Sequence, residues 1–286
     1  MSSDVRMARV IKQKYVRDKL NSGQVKVLEI VYRYRFVSRQ LLAGSLGVKP
    51  ENGLYEKLEI LVGHEYLGKR LEKQLTLQNV PAAYYLTPKG LKYLRELPDH
   101  EYVDDQAFQE SYRDKSVTGL PFIRYHLNVY GQTLALQKHY PDLKVFTQRD
   151  MRRYSYFPEK LPDAFLSLPS DDPEQPHRFF FDIVRDRQSR NDLINKLKEY
   201  TEFFDDSGWE ETESEIPVLL LLCEWGPTEK SIQRFVRGQL SRLDSGIRVY
   251  TSTFAATDGA TTTHAIWTDV QDTDELCSLD DISVNP

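Results

Sequence analysis

Two aspartates and a lysine in the second half of the chain have the residue types that metal-dependent phosphate chemistry uses. Asp163 stands at the start of one apolar segment, and Asp182 lies within the next, Arg178 to Val184. If both segments are strands joined by a short hairpin, the two carboxylates reach the same edge of one sheet. There they can hold a divalent metal such as Mg²⁺ or Mn²⁺, while Lys196 from the following helix stabilises phosphate charge. We therefore take Asp163, Asp182 and Lys196 as the predicted catalytic set, with the two aspartates as metal ligands.

The order Pro-Asp, loop, hydrophobic strand and acidic residue resembles that of PD-(D/E)XK nucleases. This resemblance implies a metal-dependent endonuclease. The chain departs from the pattern because Val184 stands where the motif has its lysine, so Lys196 or Lys198 would have to supply the ammonium group. Two alternatives stay open: a nuclease-shaped domain without activity, or a turn-capping Asp163 with Asp182 as a solvated edge charge.

The charge of the chain is distributed unevenly between its two ends. Residues 1–100 contain 18 Lys and Arg against 10 Asp and Glu, which gives +8, whereas the remaining residues give −13. A basic segment can bind nucleic acid through phosphate attraction and counterion release. An acidic segment repels the same ligand unless metal ions or local basic patches intervene. The asymmetry favours nucleic-acid binding at the N-terminal end, although a solvated basic face is the simpler alternative.

The first hundred residues show three apolar stripes at helical spacing, followed by two short strands. The stripes are Val27-Leu28-Val31, Leu41-Leu42-Leu46 and Leu54-Leu58-Leu61. Tyr66 to Leu71 and Ala83 to Leu86 form the predicted strands, and Thr87-Pro88-Lys89-Gly90 opens a fourth helix. Over residues 21–97 this order resembles winged helix-turn-helix domains. The resemblance implies that the third helix enters the major groove of DNA, although the fold also serves protein interaction.

Seven residues of this segment are predicted DNA contacts. Asn52 is the candidate for reading bases and Lys57 for contacting phosphate, whereas glutamates on the same helix argue against strong sequence readout. Basic residues of the hairpin and of the second helix would hold the DNA backbone. The full set is Arg39, Asn52, Tyr55, Lys57, Lys69, Arg70 and Lys73.

The rest of the chain predicts an acidic mixed-sheet α/β domain over residues 120–268. Segments of strand and helix alternate there, and Ile216 to Cys223 is apolar on both faces, as a covered central strand requires. Around this domain we expect a basic arm over residues 1–20, a polar linker or loosely packed connecting helix over 98–119, and a frayed acidic tail over 269–286. The predicted fold class is therefore α+β or α/β, with an N-terminal winged helix and a nuclease-like C-terminal domain.

Several segments together resemble the replication-relaxation family, whose members are associated with plasmids and other mobile elements. They are Tyr125-His126-Leu127-Asn128-Val129, "LPDAFLSL", "RFFFDIVRDRQS" and "LINKLKEYTEFF". Lys196 and Tyr200 match the family's helix. The family's strand usually reads Glu-x-Asp-Arg, and here Asp182, Val184 and Arg185 stand in its place. An earlier Glu-Arg is Gln148-Arg149 in this chain, so carboxylates are missing at two points, which favours a non-catalytic domain.

The resemblance implies a DNA-binding accessory protein acting in plasmid replication, DNA relaxation or conjugative transfer. Its expected partners are double-stranded DNA and a relaxase or replication protein, with a homodimer left open. A metal-dependent endonuclease and a winged-helix transcription regulator are the alternatives. The polar N-terminus, the two unspaced cysteines and the lack of a run of roughly 18 apolar residues predict a cytoplasmic protein without membrane contact.

Overall fold

The structure, a computed structural model, describes residues 20–282 except 72–80, 171, 173–174, 187–188, 207, 213, 244–245 and 260–264. The chain divides into two compact units, Met1–Leu127 and Asn128–Pro286. The expected basic arm, apart from Leu20, and the predicted contact Lys73 lie outside the described residues. Both units mix helices with a sheet, which confirms the mixed α and β class.

The first unit begins with three helices, and a capping side chain starts each of the first two. Helix α1 (Ser22–Tyr34) starts at an Asn21 capping box, and α2 (Arg39–Leu46) starts at Ser38, whose hydroxyl accepts the backbone N–H of Leu41. Gly47, with φ of 63°, ends α2 in the left-handed conformation that glycine adopts at little cost. Helix α3 (Asn52–Gly63) follows. The predicted stripe Leu54-Leu58-Leu61 is buried, which leaves the opposite side of α3 to solvent.

Three short strands form an antiparallel sheet in the first unit. They are β1 (Val37–Ser38), β2 (Leu67–Arg70) and β3 (Ala83–Leu86), in the order β1-β3-β2. Helix α4 (Pro88–Arg95) begins at Thr87, and its Gly90 allows close packing because a Cβ there would collide with the carbonyl oxygen of Tyr66. The two strands and the fourth helix agree with the sequence prediction, whereas β1 was not predicted.

The segment 98–119, which we predicted to be a linker or a loosely packed connecting helix, contains a helix with buried side chains. Helix α5 (Asp105–Asp114) occupies its centre, and Glu110 and Asp114 are buried. Arg35 explains their burial, because its guanidinium forms a bidentate pair with Asp114 at 2.7 and 2.9 Å and lies 3.5 Å from Glu110. Glu110 and Asp114, two of the acids that suggested a solvated segment, are thus counter-ions of a partly buried arginine.

Helix α6 (Leu120–His139) contains the division between the units, so its first eight residues belong to the first unit. In that unit, Ile123 and Leu127 of α6 pack with Phe36, Ala83 and Tyr85.

The second unit is built on a seven-stranded sheet. Its strands are β4 (Lys144–Thr147), β5 (Ala164–Leu168), β6 (His177–Val184), β7 (Val218–Cys223), β8 (Val249–Thr253), β9 (Trp267–Asp269) and β10 (Leu276–Cys277). The sheet order runs from β10 to β4 in reverse of the chain order; β6, β7 and β8 are parallel and the other pairs antiparallel. Strand β7 is buried throughout, as predicted for the central strand.

Helices α8 (Arg190–Asp205) and α9 (Gly226–Leu243) connect the parallel strands. Leu197 of α8 and Val236 of α9 belong to one apolar cluster with Phe180 and Leu219 of the sheet. The two helices therefore cover the same face. Two short helices, α7 (Gln148–Met151) and α10 (Phe254–Asp258), follow β4 and β8.

The segment after residue 268, which we expected to be a frayed acidic tail, packs on the second unit in its described residues. Strand β10 extends the sheet, and Val270, Leu279 and Ile282 are buried. The Tyr140 hydroxyl accepts the backbone N–H of Leu279 at 3.1 Å. Acidic composition suggested a solvated tail, but apolar residues between the acids anchor it. Across the described part of the chain, no helix is both long and apolar enough to cross a membrane.

Candidate functional site

The predicted catalytic residues Asp163, Asp182 and Lys196 meet at one place in the second unit. Asp163 directly precedes β5, and Asp182 lies in β6, which pairs antiparallel with β5. The backbone N–H of Asp163 donates to Asp182 Oδ1 at 3.0 Å, and the N–H of Ile183 donates to Asp163 Oδ2 at 2.8 Å. The register of the two strands thus fixes both carboxylates beside each other.

A lysine and a tyrosine of helix α8 donate hydrogen bonds to the carboxylate of Asp182. Lys196 Nζ lies 2.5 Å from Asp182 Oδ1, and the Tyr200 hydroxyl donates to Asp182 Oδ2 at 3.0 Å. These two residues are four apart, so they project from one face of the helix. The side chain of Asp182 is 5% exposed and that of Lys196 is 16% exposed. The result is a buried ion pair closed by a tyrosine.

The charge of this site favours a protonated lysine. Burial lowers the pKa of Lys196, but the attraction of Asp182 and Asp163 and the hydrogen bond to Asp182 outweigh burial and raise it above the ordinary lysine value. Both oxygens of Asp182 already accept protein hydrogen bonds, so a metal ion there would have to displace Lys196 or Tyr200. Among the described residues, no group of three or more His, Cys, Asp or Glu side chains could hold a metal.

Five of the predicted DNA contacts of the first unit fall into two groups around α3. In one, the Arg39 guanidinium lies 5.6 Å from the centroid of the Tyr55 ring, and Lys69 Nζ lies 5.7 Å from the same centroid. Tyr55 is 43% exposed. With Tyr84, these residues line a cavity of about 250 Å³. This group brings cations and an accessible aromatic ring together.

Lys69 and Arg70 are both predicted to hold the DNA backbone, but their side chains do not lie on the same surface. Lys69 Nζ pairs with Glu59 at 2.7 Å, whereas Arg70 donates to the carbonyl oxygen of Asp114 at 3.0 Å. Successive residues of a strand point to opposite faces, so the two side chains belong to different surfaces of the unit. Burial lowers the pKa of Lys69, but the Glu59 hydrogen bond and neighbouring negative groups raise it overall.

The second group lies at the start of α3, where a cavity of about 660 Å³ is lined by Asn52, Lys57, Lys26 and Lys49. Asn52, Lys26 and Lys49 are exposed. Lys57 Nζ crosses over Gly23, where an added Cβ would lie 2.8 Å away. Sequence reasoning missed Lys26 and Lys49 because they belong to other segments of the chain. Their approach to α3 depends on how the helices pack.

The comparisons with known proteins agree with the predicted family. A family model described as replication-relaxation matches residues 28–219, which is more than half of the 286 residues. Searches of curated proteins and of solved structures gave no match. The matched segment begins in α1 and contains all seven predicted DNA contacts, together with Asp163, Asp182, Lys196 and Tyr200. The chain belongs to the replication-relaxation family.

Proposed function

We propose that this protein is a DNA-binding accessory protein of a plasmid or integrative element, acting in replication, relaxation or conjugative transfer. Membership of the replication-relaxation family supports a role on a plasmid or integrative element. The observation that carries DNA binding is the exposed side of α3 with cations on both of its flanks, Lys26, Lys49 and Lys57 on one and Arg39 and Lys69 on the other.

The arrangement of the first unit supports a winged helix. Its order is helix, strand, helix, helix, strand, strand, with β3 between β1 and β2. In winged helix-turn-helix proteins the helix that corresponds to α3 enters the major groove while neighbouring segments contact phosphates. The apolar side of α3 is buried, so the exposed side with Asn52 and Tyr55 is available to DNA.

The chemistry of this surface suits phosphate better than detailed base recognition. Lysine and arginine side chains contact phosphates without reading sequence. Asn52 is the one residue of our predicted set with the amide that pairs with adenine. Exposed Glu56 repels phosphate, and Glu59 is occupied by Lys69. We therefore expect phosphate contacts to supply most of the affinity and Asn52 to add modest selectivity.

A binding assay with matched charge variants tests the proposal. Lys57→Gln should weaken binding to duplex DNA, whether random or from an origin region, roughly fivefold to tenfold, because one charge-assisted phosphate contact is lost. Lys92→Gln removes the same charge from α4, where Lys92 is exposed, and should leave binding unchanged. Failure of the wild-type protein to bind either duplex at low salt, or equal effects of the two variants, would end the proposal.

An endonuclease is the second candidate, because Asp163, Asp182 and Lys196 do converge. We propose instead that this cluster is non-catalytic, since Lys196 and Tyr200 occupy the two oxygens of Asp182 that a metal ion would need. Wild-type protein should leave supercoiled plasmid intact in Mg²⁺ or Mn²⁺. Metal-dependent nicking that Asp182→Ala abolishes would instead establish the nuclease.

A further inference from the structure

The loop between α7 and β5 carries an aromatic pair on the surface of the second unit. The rings of Tyr154 and Tyr156 lie 5.2 Å apart at an interplanar angle of 32°. Tyr156 also packs edge-on against Trp209 at 5.9 Å and beside Phe157 at 4.9 Å. Tyr154 is 41% exposed. One ring of the pair is thus held by the core while the other remains accessible.

Two cations lie on the face of the sheet against which this loop packs. The registers Lys144↔Ser167 and Ser167↔Arg178 place Lys144 and Arg178 in one row across β4, β5 and β6. The next row on that face is Phe146, Phe165 and Phe180, against which Phe157 packs. Cross-strand neighbours share a face, so the row with Lys144 and Arg178 continues the surface on which the aromatic loop lies.

Arg178 also lies within electrostatic range of Tyr156. Burial lowers the pKa of Arg178, and the nearby Tyr156 and Glu215 act in the opposite direction. Glu215 is the acidic group near Arg178, while Lys144 is exposed at the edge strand and Arg153, next to Tyr154, is exposed as well. The charged residues named here are three cations and one carboxylate, in contrast to the net negative charge of residues 101–286.

We propose that Tyr154, Lys144 and Arg178 form a contact surface for single-stranded DNA, distinct from the duplex surface of the first unit. Cations beside an accessible aromatic ring are the combination with which proteins bind unpaired strands, the cations holding phosphates and the ring stacking on a base. A duplex conceals the faces of its bases, so the ring favours the single strand. A protein that acts where duplex DNA is opened would use both surfaces.

The test uses the full chain and fluorescence anisotropy with labelled oligothymidine. Tyr154→Ala and Lys144→Gln should each weaken binding about tenfold, while Tyr154→Phe retains the ring and should bind as the wild type does. Lys138→Gln, which removes an exposed charge from α6, is the matched control and should have no effect. Thermal melting shows whether each variant is folded. If Tyr154→Ala does not fold, the proposal is tested by the affinity of Lys144→Gln and by the difference between base-bearing and base-free strands.

A strand of the same length without bases separates stacking from phosphate attraction. It should bind more weakly than oligothymidine, and Tyr154→Ala should weaken it no further, whereas Lys144→Gln should. Duplex binding should be unchanged in both variants, so this proposal and the duplex proposal fail separately. The inference is overturned if wild-type protein does not bind oligothymidine, if folded Tyr154→Ala binds it normally, or if base-free and base-bearing strands bind alike.

Discussion

At the scale of the residue, the ammonium group of Lys196 is the counter-ion of two buried carboxylates. Removing one partner of a buried ion pair leaves an uncompensated charge and typically costs about 3–5 kcal/mol. We expect Lys196→Ala to lower the free energy of unfolding by about that amount in urea denaturation. Lys198→Ala, two residues along the helix and exposed, should change it by roughly 0.5 kcal/mol or less. Equal small effects would mean that the pair contributes little to stability.

The ionisation of a second residue, Glu229 on α9, should make the stability of the fold depend on pH. Burial raises its pKa, although the hydrogen bond from Thr251 at 3.1 Å lowers it in part. A carboxyl whose folded pKa lies above its unfolded pKa stabilises the fold at low pH and loses that contribution as pH rises through the folded pKa. Glu229→Gln should therefore raise the melting temperature at pH 8 and have little effect near pH 4. A gain that is the same at both pH values would contradict this assignment.

The residues of the carboxylate site could be predicted, but their bonding could not. A Pro-Asp before one strand and an aspartate in the next indicate convergence, because adjacent antiparallel strands bring such positions together. The match of Lys196 and Tyr200 to a family pattern pointed to the same helix. That both oxygens of Asp182 accept protein hydrogen bonds depends on the strand register and on the rotation of α8. Neither is specified by residue spacing alone.

At the scale of the element, apolar periodicity predicted helices and strands where each buries its own stripe, as in α3 and β7. It failed where long-range partners decide the fold. Helix α5 depends on Arg35, about eighty positions earlier in the chain, which adopts a φ of 65° and pairs with Asp114. Strand β1 has only two residues and exists because β3 pairs with it. Such elements become visible only when the partner is known.

The C-terminal segment gives a prediction at the same scale. Val270, Leu279 and Ile282 are each at most 1% exposed, and burying one such side chain contributes roughly 1.5–3 kcal/mol. Losing all three removes an amount comparable to the whole stability of a typical domain, about 5–15 kcal/mol. A chain that ends after Thr268 should give little soluble, cooperatively melting protein. A chain that ends after Ile282 is the control and should melt like the full chain.

At the scale of the whole molecule, the net charge and the proposed DNA binding point in opposite directions. The chain carries −5, which by itself predicts repulsion from DNA. Exposed charges separated by more than the Debye length, about 8 Å at physiological salt, are largely screened from one another. In our proposal, DNA binding therefore depends on the local surface around α3 rather than on the net charge of the chain. Four of its cations are Lys26, Lys49, Lys57 and Arg39, and Lys69 is already paired with Glu59.

The four cations around α3 that are named above determine how duplex binding should depend on salt. Each neutralised phosphate contributes a slope of about −0.9 to log K against log salt, so four contacts predict a slope of roughly −3 to −4. Lys57→Gln should reduce its magnitude by about 1, whereas Lys92→Gln should leave it unchanged. Anisotropy titrations over a range of salt concentrations measure both. A slope near zero would show that phosphate attraction does not drive binding, and a loss shared by Lys92→Gln would show that net charge, not the surface around α3, sets the affinity.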